Sequence, residues 1–580
     1  MKKISDLIFE FIASKGIDTV FTVSGGGCMH LTDSLGRNKN LKYICNHHEQ
    51  ACAMAAEGYY KASGKPGCIL VTTGPGGTNT LTGVLCAYQD SVPMIIISGQ
   101  VPTTQLSNNT GCRQIGQQEF NIVDTVKTMT KYSTLIKEPQ NILYELEKSY
   151  HIATSGRPGP VWIDIPLDIQ SYKIDTNNLL QYKSKSNNTI FKNIHNKYYL
   201  NILNGYLQKC KKPIIVLGGG IKCSNTKKQL IDFLHRINIP VMTGPHSAID
   251  IVNNDYKYYA GRFGLLGQKS SNFLIQESDL IISLGSRLNP KMIGYDSSKF
   301  APNATKFVID IDKYELNKLQ FSNTTYKWNI DLKNFFQLCD KIIIPQIESW
   351  QDHVISKRNQ ETLVLPKHNN LKNYVSTYVF AQKLEKYLDA DSVIVTSDGT
   401  AHVVPLKTIS LKANQQLFSN EGTAPMGYGI PASIGAYYGC NKPILCIEGD
   451  GSLMMNLQEL ETIKYHDIPI MIFIINNQGY LSIKLTQNSF FNGNLVASEI
   501  SSGVSIPSYK NISQAFDYDY FSIKNNKSID RILSKVFKRT NKRCIVELFT
   551  DPNELHEPKV SAKGLDSEGK IIPGELTDIK

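Results

Sequence analysis

The sequence predicts an α/β protein made of three doubly wound, parallel-sheet domains, and three observations carry that reading. Short apolar runs recur along the chain and most end in Gly, Ser, Asp or Asn just before an amphipathic segment, the pattern of buried parallel strands feeding helices. These runs fall into three blocks, separated by polar Lys/Asn-rich stretches near 171–200 and 346–375 that read as linkers. The length of 580 residues agrees, because single cores stop growing well short of it and roughly three domains of about 150–200 residues are expected.

Taken in order, the first block (1–175) opens with "MKKISDLIFEFIASKG", where Asp6, Glu10 and Lys15 interrupt the apolar stretch, so an amphipathic helix is expected and not a signal peptide. Its strands are read in "TVFTVSGGG", "KYICNHHE", "GCILVTTGPGG", "MIIISGQ" and "VWIDIP". The second block (195–345) offers "PIIVLGGG", "IPVMTG", "LIISLGS" and "KFVIDID". The third (375–555) offers "SVIVTSDG", "ILCIEGDG", "IMIFIINN" and "CIVELF", and residues 556–580 form a tail.

Composition narrows the function classes. Lys plus Arg exceed Asp plus Glu by 62 − 51 = 11, but the surplus is spread out and thickest in connectors such as "QYKSKSNNTIFKNIHNK", which argues against a nucleic-acid surface. The longest apolar runs, such as Ile468 to Ile475, are too short to span a bilayer. Twelve cysteines without a CxxC or CxxH pattern read as reduced structural thiols, and the cytoplasm is the expected compartment.

Ligands of such sheets bind beyond the carboxyl ends of the strands. There, Asp450 stands between Gly449 and Gly451, followed by Ser452, and Asn477 closes the next apolar strand 27 residues later. The intervening "LMMNLQELETIKYHD" has helical periodicity, so one β–α–β crossover brings the two strand ends side by side. One carboxylate, one amide oxygen and a loop carbonyl make a hard-oxygen set suited to an octahedral divalent cation that also holds phosphate oxygens. Either half alone reads as an ordinary turn. Together, Gly-Asp-Gly with Asn-Asn 24 residues on resembles the motif of thiamine diphosphate (ThDP) enzymes. That resemblance implies Mg2+ held by Asp450, Asn477 and the carbonyl of Gly479, with Tyr480 beside it.

Activation of ThDP requires a carboxylate beside a ring nitrogen of its aminopyrimidine. Glu49, in "NHHEQACAMAAEGYYKASG", sits between a strand end and a helix rich in small residues. With "LVTTGPGGTNTLTGV" and "PMIIISGQVPT" it resembles the pyrimidine-binding domain of the acetolactate synthase branch, implying cofactor contacts at Gly25, Thr73, Gly74 and Asn79. "TSGRPGPVWIDIPLDIQ", "NEGTAPMGYGIPASIGA" and "DPNELHEPKV" extend the resemblance across the chain. The three domains then correspond to a pyrimidine-binding, a central and a diphosphate-binding domain. Met426 matches the apolar side chain beneath the cofactor, Thr423 precedes it, and "DGTAHVV" keeps Asp398, Gly399 and His402 near the diphosphate while losing the branch's glutamine. Because Glu49 and the Gly-Asp-Gly site come from different subunits in this family, a homodimer with sites at the subunit interface is implied as the minimum active unit, with a tetramer as the alternative.

"RQIGQQEFNIVDTVKTMTKYS" resembles the segment that gives substrate contacts in acetolactate synthases, making Gln118 and Lys131 candidates, though Lys131 reads equally as a solvated charge. Gln117 replaces the branch's Phe, which favours a more polar acceptor. The His-His pair of pyruvate decarboxylases is absent from "LSNNTGCRQ", so carboligation is expected over aldehyde release. Beyond Asn477 the acceptor-selecting tryptophan is replaced by "NNQGYLSIKLTQNSFFNGNLVASEISSGVSIPS", which resembles synthase-like proteins of bacterial surface-sugar pathways. In the middle block, Gly219 in "VLGGGIK", Arg287 and Asp310 match positions that hold a non-redox FAD, with Lys291 in place of an arginine whose planar fork it does not reproduce.

The expected function is a ThDP- and Mg2+-dependent carboligase that decarboxylates a 2-keto acid, pyruvate first, and passes the two-carbon unit to a carbonyl acceptor such as a nucleotide-linked keto-sugar. The alternative is acetolactate synthase itself. A non-catalytic ThDP-binding regulatory subunit is a third reading, opposed by the retention of Glu49, Asp450 and Asn477. A nicotinamide dehydrogenase explains neither motif.

Overall fold

The computed structural model describes every residue except 108–109, 185–188, 246–247 and 580. Three six-stranded sheets, each parallel throughout, succeed one another along the chain. The first is formed by Thr19–Thr22 (β1), Lys42–Cys45 (β2), Gly67–Val71 (β3), Met94–Gln100 (β4), Tyr132–Leu135 (β5) and Pro160–Pro166 (β6), in the spatial order 2-1-3-4-6-5. The middle sheet comprises Pro213–Leu217 (β7), Val241–Thr243 (β8), Tyr259–Arg262 (β9), Leu280–Leu284 (β10), Thr305–Asp310 (β11) and Thr325–Asn329 (β12), in the order 9-8-7-10-11-12. The last comprises Val393–Thr396 (β13), Gln416–Phe418 (β14), Ile444–Gly449 (β15), Ile470–Asn476 (β16), Asp519–Ile523 (β17) and Cys544–Phe549 (β18), in the order 14-13-15-16-18-17. The first and last sheets therefore share one topology, with the strand order reversing between β1 and β3 and between β13 and β15, where ligand crevices form.

Every strand expected from the apolar runs is present. Within these three sheets five more were not expected, β5, β9, β12, β14 and β17, and all five are sheet edges. The stretches read as linkers also hold helices, Thr189–Leu207 and Glu348–Asn359. The second of these buries Trp350 and Val354 in the middle core, which explains why a stretch so polar on average is nonetheless packed. Residues 185–188 of the 171–200 stretch lie outside the described residues. The tail ends in a small antiparallel pair, Gly564–Leu565 with Ile571–Ile572, and Leu576 packs into the middle core.

Four further helices place the site: α1 (Glu49–Ser63), α2 (Thr400–Thr408), α3 (Gly429–Cys440) and α4 (Leu481–Phe490). α1 and α3 cross at glycines, where a Cβ on Gly435 would stand 1.7 Å from the Ala55 carbonyl oxygen and one on Gly58 would stand 2.1 Å from that of Ala432. The small residues of α1 thus serve close helix packing, and one apolar cluster runs through both domains from Phe21 and Met54 to Ile430 and Ile472. No helix among the described residues is long and apolar enough to cross a membrane.

Candidate active site

The ends of β13, β15 and β16, neighbours in the last sheet, open onto a cavity of about 160 Å3. Asp398 and Gly399 follow β13 into α2, Gly449 ends β15, and Asp450, Gly451 and Ser452 form one helical turn. Asn477, Gly479 and Tyr480 follow β16, and Met426 closes the cavity from the loop before α3. Ser452 ties these loops together, with its Oγ 2.8 Å from Ser397 Oγ and accepting from the Gly427 N–H at 2.8 Å.

Asp450 is 1% exposed. Its carboxylate accepts from the backbone N–H of Gly451 at 2.7 Å and of Gly479 at 3.2 Å. Burial pushes its pKa up to about 7 in spite of those donors. Tyr509 hydroxyl bonds the Asp450 carbonyl, and the Tyr480 ring lies so close that a Cβ on Gly451 would meet it at 2.3 Å. Asn477 donates through Nδ2 to Thr400 Oγ1 at 3.5 Å, while its Oδ1 is buried without a hydrogen-bond partner. A buried acceptor left unpaired costs free energy unless a ligand completes it. The donor set, a carboxylate poised to ionise and an amide oxygen awaiting a partner, fits a divalent cation with oxygen ligands.

The neighbouring groups are also desolvated. Burial raises the pKa of Asp398 and lowers that of His402 to about 3, and His402 Nε2 lies 3.7 Å from Glu421 Oε1. Burial raises Glu421 to about 8, followed by the charge of Asp90. The Thr423 N–H donates to Asn420 Oδ1 at 3.0 Å, which shapes the loop leading to Met426.

The residues expected for the partner half-site lie at the corresponding crevice of the first sheet. Glu49 begins α1, capped by His48, whose Nδ1 accepts from Gln50 N–H at 3.1 Å. Asn79 Nδ2 donates to Glu49 Oε2 at 2.9 Å, so two residues proposed for the cofactor touch directly. Gly25 packs on Thr72, Thr73 Oγ1 is buried without a partner, and Gly74 has φ +63° with Gln118 carbonyl oxygen 2.4 Å from where a Cβ would stand. Gln118, itself at φ +65°, is thereby held against the Gly74 turn. Lys131 is elsewhere: its ammonium bonds the Ile152 carbonyl and, at 2.7 Å, the Ser155 carbonyl, closing the end of helix Ile142–Thr154, and burial lowers it to about 8. None of the residues lining the cavity comes from the first domain, so Glu49 and Asp450 of one chain do not face each other across it.

In the middle domain, Gly219, Arg287 and Asp310 do gather at the ends of β7, β10 and β11, where the strand order reverses. Arg287 Nε is 3.3 Å from Glu315 Oε1, a carboxylate shared with Arg157 at 2.7 Å, and Arg287 also donates to the Gln89 carbonyl at 3.2 Å. Burial raises Asp310 to about 6. An anionic dinucleotide therefore has to compete with Glu315 for these guanidinium groups.

Sequence reading overlooked three residues. Glu459 fastens the Glu49 loop to the last domain of the same chain, accepting from Asn46 Nδ2 and His47 N–H at 2.8 Å each. Thr400 and His556 join Asn477 in a buried chain, with Thr400 Oγ1 3.0 Å from His556 Nε2, and burial lowers His556 to about 3, keeping it neutral. Each lies inside a stretch that carries the crossover or the family resemblance, yet nothing in those stretches singles it out, and only the contacts reveal it.

Comparison with known proteins gives three successive family matches: the thiamine pyrophosphate enzyme N-terminal TPP binding domain over residues 2–126, its central domain over 200–335 and its C-terminal TPP binding domain over 398–548. The large subunit of acetolactate synthase isozyme 2 of Escherichia coli (strain K12) is 30% identical over 491 residues, 83% of this chain and 84% of that protein. The chain belongs to the ThDP enzymes, in their acetolactate synthase-like branch. Acetolactate synthase large subunits from Buchnera aphidicola (27% over 578 residues, 97% of each chain) and Lactococcus lactis (28% over 579 residues, 98% of this chain and 96% of that one) align over almost their whole length. The two matched models described as TPP binding domains cover the first and last sheets, and the central-domain model covers the middle one.

Proposed function

We propose that this ThDP enzyme decarboxylates pyruvate and joins the two-carbon unit to a second 2-keto acid, the acetolactate synthase activity. The near full-length alignment with proteins of that name carries this reading and favours it over the keto-sugar acceptor expected from the sequence. In the proposed site, Asp450, Asn477 and the Gly479 carbonyl hold Mg2+ on the cofactor diphosphate, and Met426 supports the cofactor between its two ends. When bound, ThDP would supply a carbon acid whose deprotonated form can add to a keto carbon and take up the electron pair left when CO2 departs. Glu49, kept in place by Asn79 and the His48 cap, bonds the aminopyrimidine nitrogen and exchanges a proton there. Gln118, held at the Gly74 turn, would contact substrate in this reading.

Two copies of the chain complete each site in this proposal, Glu49 from one and Asp450 from the other, which is supported by the absence of first-domain residues from the cavity lining. A second reading, with another carbonyl compound as acceptor, is favoured by one observation. α4 carries Ser482, Ile483 and Lys484 where the branch places its acceptor-selecting segment, and Lys484 pairs with Glu499 at 2.6 Å beside a further concavity of about 410 Å3. Mass-spectrometric product analysis with ThDP, Mg2+ and pyruvate separates the two. Abundant acetolactate supports the first; CO2 release without acetolactate, restored to carboligation by a different carbonyl compound, supports the second.

A further inference from the structure

The segment that follows the last sheet runs the length of α2. Glu554 carboxylate accepts from Ser376 Oγ at 2.6 Å and from Thr377 N–H at 3.0 Å, and Tyr378 hydroxyl donates to the Glu557 carbonyl at 2.8 Å. Lys407, in the last turn of α2, donates to the Pro558 carbonyl at 2.7 Å, and Val560 N–H reaches the Leu265 carbonyl of the middle domain at 2.8 Å. Between these fixed points the buried His556 side chain meets Thr400, the first residue of α2, with Nε2 and Oγ1 3.0 Å apart. Thr400 Oγ1 in turn accepts from Asn477 Nδ2 at 3.5 Å.

A threonine hydroxyl has one proton to give. With the single ring proton of the neutral His556 on Nδ1, Thr400 Oγ1 accepts from Asn477 and gives its own proton to Nε2. The amide of Asn477 is then oriented with its NH2 toward Thr400 and its unpartnered Oδ1 toward the cavity. Without the imidazole, the hydroxyl loses that acceptor, and the Asn477 amide already in contact with it can turn so that Oδ1 takes the proton. The amide oxygen is then spent inside the protein.

We propose that His556 is a positioning residue for the cation site: through Thr400 it holds Asn477 in the orientation that presents Oδ1, so that cation affinity depends on the bond between His556 and Thr400. This rests on the reading that Asp450 and Asn477 hold the cation. Losing an outer-sphere partner of a metal ligand typically lowers affinity about 10–100-fold. The test uses the full-length protein saturated with ThDP, Mn2+ as the probe and the EPR signal of free Mn2+ as the readout, with thermal unfolding in EDTA recorded for each variant. His556→Ala and Thr400→Val are each expected to raise the Mn2+ Kd about tenfold, the double variant no further, and Thr400→Ser, which keeps the hydroxyl, to stay within about twofold. Tyr378→Phe loosens the same segment without touching the chain of bonds and is expected to lower the unfolding temperature while leaving the Kd unchanged. A Kd unaffected by His556→Ala, or additive losses in the double variant, overturns the proposal. Should His556→Ala fail to fold, equal affinities in Thr400→Val and Thr400→Ser overturn it instead. Asp450→Ala tests the underlying reading separately: undiminished Mn2+ binding there removes the cation site itself, whereas loss there with normal binding in His556→Ala removes only the positioning role.

Discussion

Asp450→Asn is expected to make the apo protein more stable and the loaded protein unattainable. In the native state burial raises Asp450 from 3.8 to about 7, and at about 1.4 kcal/mol per tenfold in proton affinity this costs the ionised apo protein about 4 kcal/mol. The sign follows from proton binding. Between the two pKa values the native state holds a proton that the unfolded chain has released, so this carboxyl favours the native state most below pH 4, and that contribution fades as pH rises through 7. At pH 8 the whole penalty applies; at pH 5, where the native group is protonated and the unfolded one ionised, only about 1.5 kcal/mol remains. Asparagine removes the charge but loses one acceptor, giving up a backbone bond from Gly451 or Gly479 worth about 1 kcal/mol. The expected net gain in a urea titration of EDTA-treated, ThDP-free protein is therefore about 3 kcal/mol at pH 8 and close to zero at pH 5. Calorimetric titration with Mg2+ and ThDP is expected to show binding lost in the same variant. Equal stability of variant and wild type at pH 8, or a gain that is the same at both pH values, would refute the reasoning.

Three further outcomes test the site and the scaffold. Glu49→Gln is expected to keep Mg2+–ThDP binding and lose about 100-fold or more in turnover, and mixing it with inactive Asp450→Asn protein is expected to regain activity, since a hybrid pair holds one intact site; failure of subunit-exchanged mixtures to recover would mean that the site does not span two chains. Gly435→Ala puts a methyl group 1.7 Å from a backbone oxygen of α1, which side-chain motion cannot relieve, so a loss of about 1–3 kcal/mol or more is expected; an unchanged urea midpoint contradicts that packing. Lys131→Met is expected to lower the unfolding temperature and leave kcat/KM within about threefold, as its ammonium is engaged by helix-end carbonyls, and a large selective rise in KM would restore it as a substrate contact.

What the sequence revealed depended on where each strand lies in its sheet. Inner strands such as Ile444–Gly449 and Ile470–Asn476 are covered on both faces and read as unbroken apolar runs. The five unexpected strands are edges, where one face or one side meets solvent or another domain, and their sequences, "YSTL", "YAGR", "TYKWN", "QLF" and "DYFSI", carry no such run. "YAGR" is the instructive case, because it is buried throughout, yet its Arg262 pairs with the Leu406 and Ile409 carbonyls of the last domain. Its polarity is satisfied by residues more than a hundred positions away, which no local pattern encodes. The same physical limit divides the site. Asp450 and Asn477 were legible because one crossover fixes their spacing, and Glu49 because a strand end and a small-residue helix flank it. Thr400 and His556 are 156 residues apart and meet only because the C-terminal segment folds back over α2. The acceptor falls on the far side of this line as well: α4 and the Lys484–Glu499 pair shape a concavity from side chains brought together by loops, so an acceptor proposed to bind there would be selected by shape, and shape is the property that spacing along a chain records least.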